Sequence, residues 1–86
     1  MKYLGKRMVY GLVKELLGYS DMPKCIDCTY KAYGGYEWLS FYTSTKRVRF
    51  TVYKSGVWMR VIEEDEYGKV VDKVLQKMPV SSCSVD

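Results

Sequence analysis

Apolar residues recur with two different spacings along this chain, and the change of spacing separates a helix from a set of strands. Residues 3–17 place apolar side chains at steps of three and four, which predicts an amphipathic helix that ends before Gly18. Between residues 25 and 63, apolar positions alternate with polar or aromatic ones, as in strands that bury one face. This pattern predicts four strands, at 25–33, 36–43, 47–53 and 57–63.

Short turns set the expected pairing of these strands. Gly34-Gly35 is typical of a two-residue hairpin turn, and Ser44-Thr45 and Ser55-Gly56 centre the next two turns. Each pairing joins residues that belong to the same face of the sheet, and this agreement favours a four-stranded antiparallel meander. The expected pairs are Tyr33–Tyr36, Lys31–Trp38, Tyr30–Leu39, Cys28–Phe41, Tyr42–Arg47 and Leu39–Phe50.

An acidic run at residues 63–66 predicts the start of a second helix, because carboxylates are favoured in the first turn of a helix. This helix is expected near 66–78, before Pro79. Its predicted apolar stripe consists of Val70, Val71, Val74, Leu75 and Met78. Its predicted exposed ridge consists of Lys69, Lys73 and Lys77.

The predicted element order is therefore α-β-β-β-β-α, which indicates an α+β fold. We expect a two-layer sandwich, with the N-terminal and the C-terminal helix on one face of the meander and the other face open. One domain is expected at 1–78, followed by a polar tail at 79–86. The side chains expected beneath the two helices are Leu39, Phe41, Val48, Phe50, Val52, Met59 and Val61.

The opposite, open face of the predicted sheet alternates aromatic rings with cations. Rings can stack on unpaired bases and cations can neutralise phosphates, so this mixture favours single-stranded nucleic acid. Two other interpretations stay open: the face is a protein interface, including one between two copies of the chain, or it only stabilises the sheet. The candidate nucleic-acid-binding residues are Lys31, Tyr36, Trp38, Tyr42, Arg47, Arg49, Tyr53, Trp58 and Arg60.

The charge of the chain supports the interpretation that the open face binds nucleic acid. The net charge is +4, and residues 1–62 hold eleven Lys and Arg against four Asp and Glu, a surplus of seven cations. A basic surface of this kind favours polyanions. The chain contains no run of about 18 apolar residues and no apolar signal-peptide core, so we expect a cytoplasmic protein that does not insert in a membrane.

The composition also bears on the origin of the chain. It has no Asn, no His and one Gln, and depletion of thermolabile amides is typical of hyperthermophiles. In length and Tyr-rich style the chain resembles the small orphan proteins of hyperthermophilic archaea and their viruses. That resemblance implies an origin in a hyperthermophilic archaeon or one of its viruses, with the cytoplasm, or the host cytoplasm if the protein is viral, as the site of action. It covers no motif and assigns no residue a role.

Three cysteines leave several possibilities open. Intracellular disulfides are common in hyperthermophiles, so a bridge from Cys83 to Cys25 or Cys28 is expected there. Free buried thiols are the alternative. A structural zinc site usually needs four N or S ligands, and three Cys without His cannot supply them. Redox Cys-x-x-Cys motifs normally lie at a helix N-terminus, whereas Cys25 and Cys28 lie where a loop meets a strand.

No catalytic group of residues emerges from the sequence. The chain has no His for general-base chemistry, no Gly-rich phosphate loop before a helix, and carboxylates scattered over different elements. We therefore expect a small basic protein that binds nucleic acid, without enzymatic activity, metal or cofactor. The alternative is a protein-interaction module, either a homodimer through the sheet or a viral inhibitor of a host protein.

Overall fold

The computed structural model describes residues 3–54 and 58–77. Within them, one helix, α1 (Lys6–Leu17), precedes five strands: β1 (Thr29–Ala32), β2 (Tyr36–Tyr42), β3 (Lys46–Tyr53), β4 (Trp58–Asp65) and β5 (Val70–Lys77). The strands form one antiparallel sheet in the order β1-β2-β3-β4-β5. The α+β class and the meander are therefore confirmed, with five strands in place of four and one helix in place of two.

The predicted C-terminal helix is wrong, because the segment forms β5. Asp65 Oδ1 accepts hydrogen bonds from the backbone N–H groups of Tyr67 and Lys69, both at 2.9 Å. Gly68 adopts a positive φ of 84°, so the chain reverses in a tight turn. The Asp65 side chain, which was expected to start a helix, thus stabilises a hairpin turn. The valines that come after the turn are β-branched, and β-branched residues favour a strand.

The N-terminal helix agrees with its prediction at its C-terminal end. Gly18 is left-handed, with φ 62°, and its N–H donates to Lys14 O at 3.1 Å. The helix begins at Lys6, later than expected, because Gly5 has a φ of 94°. The first strand is also shorter than the predicted 25–33, since Cys25–Asp27 forms a single 3₁₀ turn.

The predicted pairing is confirmed for Tyr30–Leu39, Lys31–Trp38, Tyr42–Arg47 and Leu39–Phe50. All seven residues predicted for the core are buried, together with Val9 and Val13 of α1. They pack under α1 alone, not under two helices. Residues 55–57 and the predicted tail at 79–86 lie outside the described residues, as do Met78 and Cys83.

A buried carboxylate joins α1 to the sheet. Glu37 has no exposed surface, and it accepts hydrogen bonds from the N–H groups of Leu4 and Gly5, from the Tyr30 hydroxyl at 2.7 Å and from Lys54 Nζ at 2.7 Å. Burial alone would raise the pKa of Glu37, but these donors outweigh it and hold the pKa below its ordinary value. The start of the helix is thereby fixed over the inner face of β2.

Candidate nucleic-acid interface

The open face consists of the side chains on β2, β3 and β4 that alternate with the buried core residues. The strand register sorts them into rows that cross the sheet. From one end to the other the rows are Tyr36–Tyr53–Trp58, Trp38–Thr51–Arg60, Ser40–Arg49–Ile62 and Tyr42–Arg47–Glu64. Lys31 extends the second row, because it pairs with Trp38. The structure thus brings all nine predicted residues together on one face.

The first of these rows, with Tyr33 beside it, is an aromatic row whose rings contact one another. The ring centroids of Tyr33 and Tyr36 are 5.1 Å apart, and those of Tyr36 and Tyr53 are 6.1 Å apart. Tyr53 and Trp58 are stacked, 4.1 Å apart and 12° from parallel. Each of these two rings therefore covers one face of the other, which stabilises the sheet and leaves less ring surface for a ligand.

Two of the cations on the open face are neutralised by carboxylates. Arg60 forms an ion pair with Asp72 of β5, and its Nη1 donates to the Tyr53 hydroxyl at 3.3 Å. Arg47 forms an ion pair with Glu64, its direct partner on β4. Hydrogen bonds from Arg60 hold the pKa of Asp72 below its ordinary value, which keeps this partner charged.

The other two cations lie around Trp38. The Arg49 guanidinium lies over the Trp38 ring, with its Cζ 4.3 Å from the ring centroid. Lys31 is exposed and pairs with Trp38 across β1 and β2. Within residues 3–54 and 58–77, no carboxylate lies within ion-pair distance of Lys31 or Arg49. These three residues, which we call the Trp38 cluster, combine an indole ring with two cations that have no carboxylate partner among the described residues.

At the far end from the aromatic row, the face has an open depression of about 380 Å³. We call it the end depression. It is lined by Ser40, Tyr42, Arg47, Arg49, Ile62, Glu64 and Val70. Arg49 therefore belongs both to the Trp38 cluster and to this depression.

Sequence reasoning missed the two carboxylates on this face. Glu64 falls one residue after the predicted end of the fourth strand, and extending that strand by one pair would have placed it opposite Arg47. Asp72 was assigned to a helix. It reaches Arg60 only because β5 pairs with β4, with a bulge between Met59 and Arg60. Nothing in the sequence around Asp72 indicates that β5 pairs with β4.

The cysteines and the remaining chemistry give no further site. Cys25 and Cys28 are free thiols, and burial raises the pKa of Cys28, which disfavours its thiolate. The predicted partner of a disulfide, Cys83, lies outside the described residues. In the described part of the chain, no group of three or more acidic, His or Cys side chains is arranged to hold a metal ion. No helix in that part has the length and apolar character needed to cross a membrane.

Comparison with known proteins yields no relative: no family model, no curated protein and no solved structure matches this chain.

Proposed function

We propose that the protein binds single-stranded nucleic acid through the open face, without catalysing a reaction. The observation that carries the proposal is the Trp38 cluster. Trp38 pairs with Lys31 across β1 and β2, and Arg49 lies over its ring. These are the two cations of the face that have no carboxylate partner among the described residues. A single strand offers the matching pair of features, a flat base and a phosphate on either side of it.

The geometry of Arg49 suits a phosphate. Its Cζ lies 4.3 Å from the centroid of the Trp38 ring, a cation–π contact that does not neutralise the guanidinium. A guanidinium can donate two parallel hydrogen bonds to one phosphate. Lys31, the cross-strand partner of Trp38, supplies a second positive charge.

Stacking supplies the part of the binding free energy that does not depend on charge. An indole ring stacked on a base contributes about 1–3 kcal/mol, with little preference for the base. The aromatic row can add contacts only through the outer faces of its rings, since Tyr53 and Trp58 cover each other. Arg49 likewise covers one face of the Trp38 ring, so Trp38 can stack on a base only through its other face. We propose Trp38 as the main stacking group because its two neighbouring cations can hold the phosphates beside that base, and Tyr36, Tyr42, Tyr53 and Trp58 as secondary ones.

The number of cations that have no carboxylate partner on the open face predicts how strongly salt weakens binding. The logarithm of affinity for a single strand falls by about 0.7 per neutralised phosphate for each logarithmic step in salt. Two available cations give a slope of roughly −1.4, whereas four would give roughly −2.8. The measured slope therefore distinguishes the Trp38 cluster from a face on which all four cations contact phosphates.

The experiment is a titration of tryptophan fluorescence with a mixed-sequence oligonucleotide of about eight nucleotides at about 50 mM salt. We expect quenching by the single strand, and weaker binding of the matching duplex, whose bases are already stacked. Absence of both quenching and a gel shift at this salt concentration would contradict the proposal.

A second candidate function, association with protein, is favoured by a different observation. Val70 and Val74 on β5 are 57% and 60% exposed, and β5 is an edge strand of eight residues. Long edge strands with exposed apolar side chains pair with other chains. This function predicts a dimer, or a complex with a partner such as a host protein, whose stability depends only weakly on salt. A mass measurement by light scattering at several protein concentrations tests for the dimer.

A further inference from the structure

The end depression has the size and the chemistry of a site for the phosphorylated end of a single strand. Its volume of about 380 Å³ lies in the range of small-molecule sites. We infer that it binds the end of a strand whose last base is stacked on Trp38, and that the group it recognises is a terminal phosphomonoester. This inference rests on the proposed function and adds to it the kind of strand end that the protein selects.

The inner wall of the depression supplies the donors for a phosphate. Ser40 and Arg49 are cross-strand partners on β2 and β3, and both line the depression. The Arg49 guanidinium lies over Trp38, and a guanidinium can bind a phosphate through two N–H groups. A terminal phosphomonoester carries about −1.5 to −2 charges against one for an internal phosphodiester, so Arg49 binds the terminal group more strongly.

The outer part of the depression does not favour a further phosphate. Ile62 and Val70 line the depression with apolar surface from β4 and β5. The Glu64 carboxylate, paired with Arg47 in the outermost row, repels an anion.

The charge at the rim explains why the strand should end here. A second depression at the same edge shares Tyr42, Arg47 and Glu64 and is also lined by Lys46, Asp65 and Glu66. Lys46 is paired with Glu63, so the carboxylates outnumber the cations there. A strand that continued over this edge would bring its next phosphate towards these carboxylates. A strand that ends in the depression avoids that repulsion and keeps its terminal phosphate on Arg49.

The test compares three oligonucleotides of one sequence: one with a 5′-phosphate, one with a 3′-phosphate, and one with hydroxyls at both ends. Affinities are measured by tryptophan fluorescence at about 50 mM salt. We expect a phosphate at one of the two ends to raise affinity about tenfold over the unphosphorylated strand. Ser40→Ala should reduce this preference to below about threefold. Thr29→Ala is the matched control, because it removes the hydroxyl directly across from Ser40 but outside the depression, and it should leave the preference intact.

Other outcomes would show that the terminal site alone, or the terminal site together with the proposed function, is wrong. If all three oligonucleotides bind with affinities that agree within about twofold, the terminal site is wrong and the proposed function stands. The terminal site is also wrong, and the proposed function stands, if a 5′-phosphate and a 3′-phosphate raise affinity equally and Ser40→Ala has no effect. General attraction between charges would then explain the higher affinity. If none of the three binds, both the terminal site and the proposed function are wrong.

Discussion

Arg60 on β4 donates two hydrogen bonds to Asp72 on β5, from Nε to Oδ1 at 2.7 Å and from Nη2 to Oδ2 at 2.5 Å. This bidentate pair joins the last two strands on the open face. It also neutralises a guanidinium that would otherwise face a ligand. The affinity for polyanions that we propose for the open face is therefore set by its carboxylates as much as by its arginines.

Asp72→Asn tests this conclusion. The amide keeps the size of the side chain and removes its charge, so Arg60 becomes available to a phosphate. We expect the affinity for a single strand to rise about threefold and the salt slope to steepen by roughly 0.7. Asp27→Asn is the matched control, because Asp27 is an exposed acid on the 3₁₀ turn, away from the open face. If both variants raise affinity equally, net charge and not Arg60 is responsible.

Trp38→Ala removes the ring of the Trp38 cluster. It should weaken single-strand binding by about 1–3 kcal/mol, because both the stacking surface and the support of Arg49 are lost. Arg49→Ala should weaken binding less and flatten the salt slope by roughly 0.7. Tyr67→Ala serves as the control for ring removal, since Tyr67 is 86% exposed on the β4–β5 turn. Affinities come from anisotropy of a labelled strand, and an unchanged affinity for Trp38→Ala would count against the proposed site.

The alternation of side chains was sufficient to predict the part of the fold that carries the candidate site. Leu39 and Phe50 are buried and paired, whereas Trp38 and Arg49 lie on the other face, as the period of two requires. The two faces of a strand can be assigned directly from the sequence when one face is apolar and the other is not. The nine candidate residues were brought together by that rule alone.

The β5 segment shows where the same reasoning fails. Val70, Val71 and Val74 fit a helical stripe as well as a strand, and the acidic run before them resembles a helix start. Tertiary structure decided between the two, because β4 offered an unpaired edge and Asp65 with Gly68 formed the turn that reaches it. The ion pair of Arg60 with Asp72 could not be predicted without that pairing.

Tyr30 should make stability depend on pH in the alkaline range. Burial, together with its hydrogen bond to Glu37, raises the pKa of Tyr30 from 10.0 to about 12. The pKa in the folded state is the higher one, so this contribution is complete below pH 10 and is lost as the pH rises to about 12. A Tyr30→Phe protein should lose the part of the alkaline destabilisation that falls in this window. Thermal unfolding from pH 9 to about 12 measures the difference, with Tyr67→Phe as the control for an exposed tyrosine.

Glu37 should make stability depend on pH in the acid range, with the opposite sign. Its pKa is lower in the folded state than the ordinary 4.5, so its contribution is complete above pH 4.5 and is lost as the pH falls below it. Glu37→Gln removes the buried negative charge that faces Lys54 and should lower the free energy of unfolding at neutral pH by about 3–5 kcal/mol. The variant should also show a shallower loss of stability between pH 5 and about 3, measured by circular dichroism during thermal unfolding. Glu15→Gln, on the exposed side of α1, should change neither quantity. An equal effect of the two substitutions would mean that overall charge, and not the hydrogen bonds that anchor α1 to β2, sets the acid stability of this fold.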